Sequence, residues 1–462
     1  MYIDIKMEEN MAAERTKDMT VGDPKKIIIS FGLPLLLGML FQQCYNMVDT
    51  IIVGRYLGVN SLAAVGSTGS INFMVVGFCM GLCNGFAIPI AQCFGAKDFK
   101  NLRKYVANCM WVAIFFAAII TTFISVYCMD VLKLMKTPSD IIEEAYDYIF
   151  VIFVGIPVLM LYNILSGILR AMGDSKLPLV FLIISSILNI FLDIFTIRFM
   201  GMGVEGAAWA TIVSQAVSGI LCLVYMIKKF EILRIKGEEW NLNFRYVVTL
   251  CRMGLPMGLQ YSITAIGSVV IQTAVNTLGS AAVAAVTAAN KVGMFFCCPF
   301  DAMGSTMATY AGQNIGAGKP DRVTKGMLSC SAMGLVYSLI ACVIMVFFGE
   351  QLASIFMDKG DNGEILHNAW LMNVWSSSFY FPLALVNIVR FTIQGLGYSE
   401  LAILAGVCEM IARALVGFVF VPKFGFVAVC TASPLAWIFA DIFLIIAYIY
   451  VIKRIKERLA VA

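Results

Sequence analysis

The residues of this chain that could do chemistry are polar side chains inside long apolar stretches. One set shares a single helix face through the spacing i, i+3, i+4 and i+7: Gln42, Tyr45, Asn46 and Asp49. Asn189 and Asp193 are one helical turn apart on a second stretch, and Thr211 follows a run of small residues at 206–210 on a third.

Acidic residues in such stretches need an explanation, because a charged residue in the middle of a membrane span raises the free energy of insertion by about 2.5–3.5 kcal/mol. Asp49 taken alone could be an acid at the lipid–water boundary. Two acids with an amide and a hydroxyl in one half of the chain indicate more. Burial disfavours the charged form of a carboxyl group, and a second carboxyl nearby disfavours it further. Such a pair can take up and release a proton or supply oxygen ligands to a small cation.

The elements that position these residues are predicted from composition. Of the 462 residues 60% are hydrophobic and only 13% are charged, and the mean hydropathy is +0.86. A soluble domain carries about 25% charged residues, and a stretch of about 20 apolar residues can cross a bilayer. We therefore predict an all-α integral membrane protein with twelve spans, at 27–54, 60–93, 105–129, 140–168, 177–198, 203–227, 246–278, 281–312, 323–349, 365–394, 399–421 and 425–452.

The Lys and Arg residues predict the orientation of these spans. Twenty-four of the 33 lie in the two terminal segments and the connections that follow every second span. The other side holds six: Arg55, Lys133, Lys136, Arg198, Lys359 and Lys423. Because cytoplasmic loops carry the excess of Lys and Arg, we expect a multi-pass protein of the cell membrane with both termini in the cytoplasm.

The chain also repeats itself with a period near half its length. Residues 32–34 (Gly-Leu-Pro) return at 254–256, and residues 92–96 (QCFGA) return at 313–317 as QNIGA. Six spans in each half predict a parallel repeat related by an axis along the membrane normal. Asp49 aligns with Val270 or Ile271, and Asn189 and Asp193 align with Arg413 and Gly417. This broken symmetry predicts that the coupling chemistry lies in the first half.

The repeat predicts the domain organisation. We expect a cytoplasmic N-terminal segment at 1–26, an N-lobe at 27–228, a cytoplasmic linker at 229–245, a C-lobe at 246–453 and a cytoplasmic tail at 454–462. The basic region 228–252 around the linker is interpreted as a solvated segment held at the membrane face by anionic lipid.

The second half carries an uncharged polar stripe on its first span, with one residue in every four: Gln260, Thr264, Ser268, Gln272 and Asn276. Two interpretations stay open, hydrogen bonding between helices and a cavity wall that offers hydrogen bonds without fixed charge. Glu409 and Arg413 are spaced i, i+4 and are expected to pair.

Other function classes are excluded or weakened by what the sequence lacks. The 14 Cys residues are scattered through apolar spans, and the single His367 lies near an external loop, so neither a metal centre nor an intramembrane enzyme is expected. A phosphate-binding Gly-x4-Gly-Lys-Ser/Thr motif does not occur, which argues against direct ATP coupling. We expect no cofactor, no ATP-binding partner and no nucleic-acid partner.

A resemblance to a known family is carried by several of these motifs. Gly-Leu-Pro followed by residues 42–50 (QQCYNMVDT), residues 92–96, residues 170–174 (RAMGD) and the Asn189–Asp193 pair resemble the multidrug and toxic compound extrusion (MATE) transporters over roughly residues 25–455. The order of residues 42–50 most resembles the MepA-like bacterial branch.

This resemblance implies two six-helix lobes that form a V around a central cavity, and export of amphipathic, often cationic, molecules in exchange for H⁺ or Na⁺. It places the proton or sodium site at Asp49, Asn189, Asp193 and Thr211, with Tyr45 one turn before Asp49. The resemblance also implies that the first span bends at Pro34, which would act as a hinge. NorM-type relatives carry a Glu in the seventh span where this chain has Thr264, so a sodium site in the C-lobe is in doubt.

The substrate cavity is assigned to the polar faces of spans 1 and 7, namely Gln42, Asn46, Gln260, Thr264, Ser268, Gln272 and Asn276. We expect a monomer whose partners are small amphipathic molecules and membrane lipids. The alternative is a flippase for a lipid-linked saccharide, which would favour about fourteen spans and a strongly basic cavity. Six basic residues fall within the span bounds; Arg198, Arg252 and Lys325 are counted above with the adjoining connections, which leaves only Lys291, Arg390 and Arg413.

Overall fold

A computed structural model describes residues 17–135, 137–356 and 363–461. Most of the predicted N-terminal segment, together with Lys136, Lys359 and the last residue of the predicted tail, lies outside these ranges. Within them the regular structure is helical, as the hydropathy predicts. A helix satisfies its backbone polar groups internally, which a lipid environment requires.

The described part of the first half contains nine helices: α1 Pro24–Tyr56, α2 Val59–Ser67, α3 Gly69–Gly95, α4 Phe99–Val126, α5 Cys128–Leu134, α6 Ile142–Val154, α7 Ile156–Ala171, α8 Lys176–Ile194 and α9 Val204–Lys229. Helix α8 runs directly into a π-helical turn, Phe195–Phe199. Two short 3₁₀ turns, Glu231–Leu233 and Gly237–Trp240, follow α9.

Outside the undescribed residues 357–362 and 462, the second half repeats this order with eight helices: α10 Phe244–Asn276, α11 Ser280–Gly316, α12 Pro320–Ser354, α13 Gly363–Ser378, α14 Tyr380–Gly395, α15 Ser399–Leu415, α16 Val421–Phe424 and α17 Phe426–Val461. A second π-helical turn, Val416–Phe420, follows α15.

The twelve predicted spans each have a helical counterpart in the described ranges. Ten single helices are long and apolar enough to cross a membrane, and α6 with α7, bent by 46°, makes an eleventh. Helices α13 and α14, of 16 residues each, occupy the predicted span 365–394. Pro157 and Pro382 follow the two breaks; because proline lacks a backbone donor, it favours a helix start over a continuous helix.

The sequence repeat appears again in the backbone. Gly58 and Gly279, 221 residues apart, both have φ of 96°, a conformation that side chains rarely adopt. The two π-helical turns are also 221 residues apart. Counted from these turns, Asp193 corresponds to Ala414 rather than Gly417. Neither residue is acidic, so the asymmetry between the halves stands.

The chain forms two compact units, and each contains a segment from the other half of the sequence. Unit 1 contains the segment that ends at Met19 and Leu37–Gly258; unit 2 contains Thr20–Leu36 and Leu259–Ala462. The chain thus changes unit inside α1 and inside α10, two residues after Pro34 and Pro256 respectively. This division differs from the one at the linker that the repeat alone indicates.

Glycines explain how the exchanged segments pack. In unit 1 a Cβ on Gly85 of α3 would lie 2.5 Å from the Cα of Gly254, so the two backbones touch. In unit 2 a Cβ on Gly32 would lie 3.0 Å from the Oγ1 of Thr306 on α11. The glycine of each Gly-Leu-Pro motif therefore permits close approach to a helix of the other sequence half.

Most linker residues are exposed, as the charge of the segment indicated, but the linker also makes buried contacts with unit 1. Glu239 is 6% exposed and its two carboxylate oxygens accept hydrogen bonds from Nε of Arg103 on α4, at 2.9 and 3.0 Å. Nε1 of Trp111 donates to the Trp240 carbonyl at 3.1 Å. These contacts dock the linker on unit 1, because the buried guanidinium of Arg103 needs a carboxylate partner.

The first prediction concerns this docking. Burial acts to raise the pKa of Glu239, but the hydrogen bonds from Arg103 and from the Lys236 backbone outweigh it and hold the pKa below its ordinary value of 4.5. The linker contact is therefore complete at neutral pH and is lost as the pH falls through that lowered value.

Limited proteolysis of the linker across the acidic range measures this loss. Glu239→Gln should already expose the linker to protease at neutral pH, at a cost of about 1–3 kcal/mol. Glu238→Gln, at an exposed neighbour, is the matched control and should cleave like the parent chain. Equal cleavage of both variants would contradict the role given to Glu239.

A candidate ion-coupling site

Two carboxyl groups from distant parts of the sequence meet inside unit 1. Asp193, in the last turn of α8, is completely buried, and neither of its carboxyl oxygens has a hydrogen-bond donor. Asp49 on α1 is half-buried, and its Oδ1 also lacks a donor. The two carboxyl groups lie within hydrogen-bonding range of each other.

The chemistry of this pair follows from its missing donors. Two adjacent carboxylates repel each other, and their burial removes the water that would screen them. One proton shared between them, or one small cation bound by both, removes the repulsion. The pair is therefore built to bind a single positive charge.

Asn189 and Thr211 extend the same site. Asn189 is 2% exposed and lies one turn before Asp193, on the same face of α8. Its Nδ2 donates to Oγ1 of Thr211 on α9 at 3.3 Å, while its Oδ1 has no partner. An amide oxygen one turn from Asp193 and a hydroxyl oxygen bonded to the same amide group are thus available to the site.

The local backbone at Asp193 is irregular. The hydroxyl of Thr196 donates to the carbonyls of Leu192 and Asp193, at 2.9 and 3.3 Å. The π-helical turn begins two residues after Asp193. A Cβ on Gly206 would lie 2.9 Å from Cβ of Met202 and 3.1 Å from Oγ1 of Thr196. The small residues at 206–210 therefore let α9 pack close to this turn, and π-turns are frequent at functional sites.

Two tyrosines complete the surroundings. The hydroxyl of Tyr45 lies within hydrogen-bonding range of Gln42 and interacts with both acids. Tyr148 on α6 is 8% exposed and faces Asp49, Asp193 and Tyr45. The sequence analysis missed Tyr148, because it lies on the apolar buried face of an amphipathic helix. The polar hydroxyl of Tyr148 on that apolar face is the feature of the sequence that could have indicated a place in the site.

The remaining residues predicted for the cavity lie on α1 and on α10. On α1, Gln42 is half-buried and Asn46 is exposed. On α10, Thr264 and Ser268 donate to the carbonyls of Gln260 and Thr264, four residues back, at 3.0 and 3.1 Å.

The rest of the α10 stripe is also bonded mainly within its own helix. Nε2 of Gln272 donates to Oδ1 of Asn276 at 3.0 Å. Gln260 accepts a bond from Nε2 of Gln394 on α14 at 2.7 Å. Gln260 thus fits the interpretation of hydrogen bonding between helices, while Ser268 and Asn276 are exposed and stay candidates for a cavity wall.

The predicted pairing of Glu409 with Arg413 is confirmed, at 3.6 Å, and Arg390 joins the same carboxylate. In the described ranges no three His, Cys, Asp or Glu side chains lie close enough together to hold a metal ion.

Comparisons with known proteins identify the family of the chain. The MatE family model matches residues 34–195 and 256–419, one match in each half. The probable multidrug resistance protein YpnP of Bacillus subtilis is 31% identical over 381 residues, which is 80% of this chain and 82% of that protein. The multidrug export protein MepA of Staphylococcus saprophyticus is 22% identical, over 83% of this chain and 85% of its own length.

Among solved structures, the crystal structure of MATE in complex with MaL6 superimposes with a TM-score of 0.88 at 23% identity, over 96% of this chain and 99% of that one. The chain is a membrane transporter of the MATE family. The predicted resemblance and the predicted fold are confirmed; the roles of the site residues stay predictions.

The second prediction tests the bond between Asn189 and Thr211. Thr211→Val keeps the side-chain shape and removes the hydroxyl, so the buried Asn189 amide loses its partner. We expect the free energy of unfolding in detergent to fall by about 0.6–2 kcal/mol, read as a lower thermal midpoint. Thr211→Ser keeps the hydroxyl and should match the parent chain; a midpoint unchanged in Thr211→Val would show that the bond contributes nothing.

Proposed function

We propose that this chain is a secondary antiporter that exports amphipathic, often cationic, small molecules in exchange for protons or sodium. The observation that carries the proposal is the proximity of Asp49 and Asp193 in unit 1: both oxygens of the buried Asp193 and Oδ1 of the half-buried Asp49 lack a hydrogen-bond donor. Two relatives, a multidrug export protein and a probable multidrug resistance protein, support small drug-like molecules as the class of substrate.

The carboxyl pair links ion binding to conformation through its charge. With no cation bound, two ionised groups in the interior repel each other, and Asp193 has no exposed surface through which water can relieve the repulsion. A bound proton or sodium ion removes that cost and favours the packed arrangement of α1, α8 and α9. The free energy of the ion gradient is thereby converted into a preference for one conformation.

Both coupling ions fit the donor set. A proton needs one carboxyl to take it and a second to share it, which Asp49 and Asp193 supply. Sodium needs several oxygen ligands, and Oδ1 of Asn189 and Oγ1 of Thr211 are available beside the two acids. Efflux measured under separate proton and sodium gradients distinguishes the two coupling ions.

Pro34 is the proposed hinge. It interrupts the hydrogen bonding of α1 two residues before the chain passes from unit 2 to unit 1. Asp49 lies on the same helix beyond that point. A change of charge at Asp49 can therefore be transmitted to the bend in α1, and alternating access follows from movement of the two units.

The membrane placement belongs to the same proposal. The distribution of Lys and Arg supports a cell-membrane protein with both termini cytoplasmic. A monomer is sufficient, because the coupling residues come from one unit of one chain. Twelve helical spans, rather than about fourteen, favour the antiporter over the flippase alternative.

The third prediction tests the coupling pair. Efflux is measured in proteoliposomes under separately imposed proton and sodium gradients. Asp49→Asn with Asp193→Asn should reduce gradient-driven efflux to the level of empty liposomes, because neutral amides cannot exchange a charge. Asp140→Asn, at an exposed position, is the control and should transport like the parent chain. Intact gradient-driven efflux in the double variant would exclude this site.

The fourth prediction concerns the hinge. Pro34→Ala restores the missing backbone donor and straightens α1, so we expect slower efflux with an unchanged affinity for the coupling ion. Stopped-flow efflux gives the rate, and ion-dependent quenching of tryptophan fluorescence gives the affinity. Pro256→Ala, the equivalent change in α10, shows whether the effect belongs to α1; equal slowing in both would mean that Pro34 has no special link to the coupling site.

A further inference from the structure

Unit 2 contains a second group of buried charges, which the proposed transport mechanism does not use. Glu409 on α15 pairs with Arg390 on α14 and with Arg413 one turn further along α15, the latter at 3.6 Å. Asp441, in the middle of α17, faces Arg390 and Glu409. Asp301 on α11 faces Arg390 and is exposed. We call these five residues the unit 2 charge cluster.

Most of the cluster is removed from water. Arg390 and Glu409 are each 5% exposed and Asp441 is 7% exposed. Three buried polar atoms of the cluster have no hydrogen-bond partner: Nε of Arg390, Nη1 of Arg413 and Oδ1 of Asp441. A buried polar group without a partner costs about 1–3 kcal/mol, so such a group in a native structure needs an explanation.

The charges of the cluster do not balance when all five groups are ionised. Three carboxylates face two guanidinium groups, which gives a net charge of −1. Arginine keeps its proton in proteins, so the imbalance is removed by one proton on one of the acids. The cluster can therefore exist in two states that differ by a single proton.

The geometry selects the acid that takes this proton. Glu409 accepts a hydrogen bond from Arg390 and pairs with Arg413 at 3.6 Å, which favours its ionised form. Asp301 is exposed, so water can stabilise its charge. Asp441 is buried, and its Oδ1 accepts no bond from either arginine. A neutral Asp441 leaves two carboxylates for two guanidinium groups.

Other charged groups near α17 lie further away. Asp321 on α12 pairs with Lys456 at 2.6 Å, fifteen residues along α17 from Asp441, or roughly 22 Å at 1.5 Å per residue. Glu364 and His367 lie in the first two turns of α13, where the His367 ring packs on Trp370 with centroids 5.5 Å apart. In the described part of the chain, Arg390 and Glu409 are the charged groups that interact with Asp441.

We propose that Asp441 is a second proton-binding site, located in unit 2, with Asp301 as the accessible acid of the same cluster. When Asp441 loses its proton, the new carboxylate attracts Arg390 away from Asp301; this makes the exposed Asp301 carboxylate a better proton acceptor, so that it can exchange a proton with water in place of Asp441. Protonation reverses these steps. The inference rests on contacts inside unit 2 and does not depend on the coupling ion bound by Asp49 and Asp193.

Infrared difference spectroscopy of the purified full chain tests the assignment, since a protonated carboxyl group has a separate C=O stretching band. Spectra are recorded across a pH series for the parent chain, for Asp49→Asn with Asp193→Asn, and for that double variant with Asp441→Asn added. We expect the double variant to keep one pH-dependent carboxyl band and the triple variant to lose it. No such band in the double variant, or a band that survives in the triple variant, overturns the proposal.

Thermal stability gives an independent readout at a pH where the band is present. Asp441→Asn replaces a neutral acid by a neutral amide of the same shape, so its midpoint should match that of the parent chain. Glu409→Gln removes the carboxylate that both arginines share and should lower the midpoint by more than about 5 °C. An equal loss in both variants would mean that Asp441 is an ionised structural partner and not a proton site.

Failure of this proposal and failure of the proposed function are distinguishable. Loss of gradient-driven efflux in Asp49→Asn with Asp193→Asn concerns unit 1 alone, whereas the infrared band of the double variant reports on groups outside that pair. A single Asp441→Asn variant should keep the carboxyl signal of unit 1. Its disappearance there would show that the two sites are not separate and would overturn the assignment.

Discussion

A carboxyl group that is removed from water needs a donor, a proton or a cation, and this requirement governs unit 1. Asp193 has no exposed surface and no donor, and its neighbour is a second carboxyl group. The surroundings fit that need. Asn189 and Thr211 place neutral oxygens nearby, the small residues of α9 allow close packing, and Tyr148 closes the site from α6. The buried acid Asp193 therefore accounts for the presence of these features together.

The duplicated scaffold supports two different electrostatic environments. Both halves share the glycine turns, the π-helical turns and the proline after Gly-Leu, because these features set backbone geometry. The charges are not shared. Unit 1 holds two acids with neutral oxygen neighbours, whereas unit 2 holds three acids around two arginines. Backbone constraints were kept in both halves, while the residues that are costly to bury differ between them.

The sequence predicted the first of these environments better than the second. A face shared at helical spacing is a local property, so Asn189 and Asp193 could be placed together before the structure was known. The uncharged stripe on α10 could not be interpreted in the same way, because a serine or threonine that bonds its own helix gives the same pattern as one that lines a cavity. The docking of the linker could not be predicted either: its charge indicated solvent and most of it is exposed, but Glu239 meets a buried arginine 136 residues away.

By itself the sequence determined the membrane class, the twelve helical spans, the duplication and the identity of the acids that are costly to bury. Hydropathy and helical periodicity act over a few turns, so they can be read locally. The tertiary structure decided that Asp49 meets Asp193, that Tyr148 faces both, and that Arg390 lies among three carboxyl groups. These contacts join residues on different helices, and which helices pack together depends on side-chain shapes across the whole unit, which no local pattern specifies.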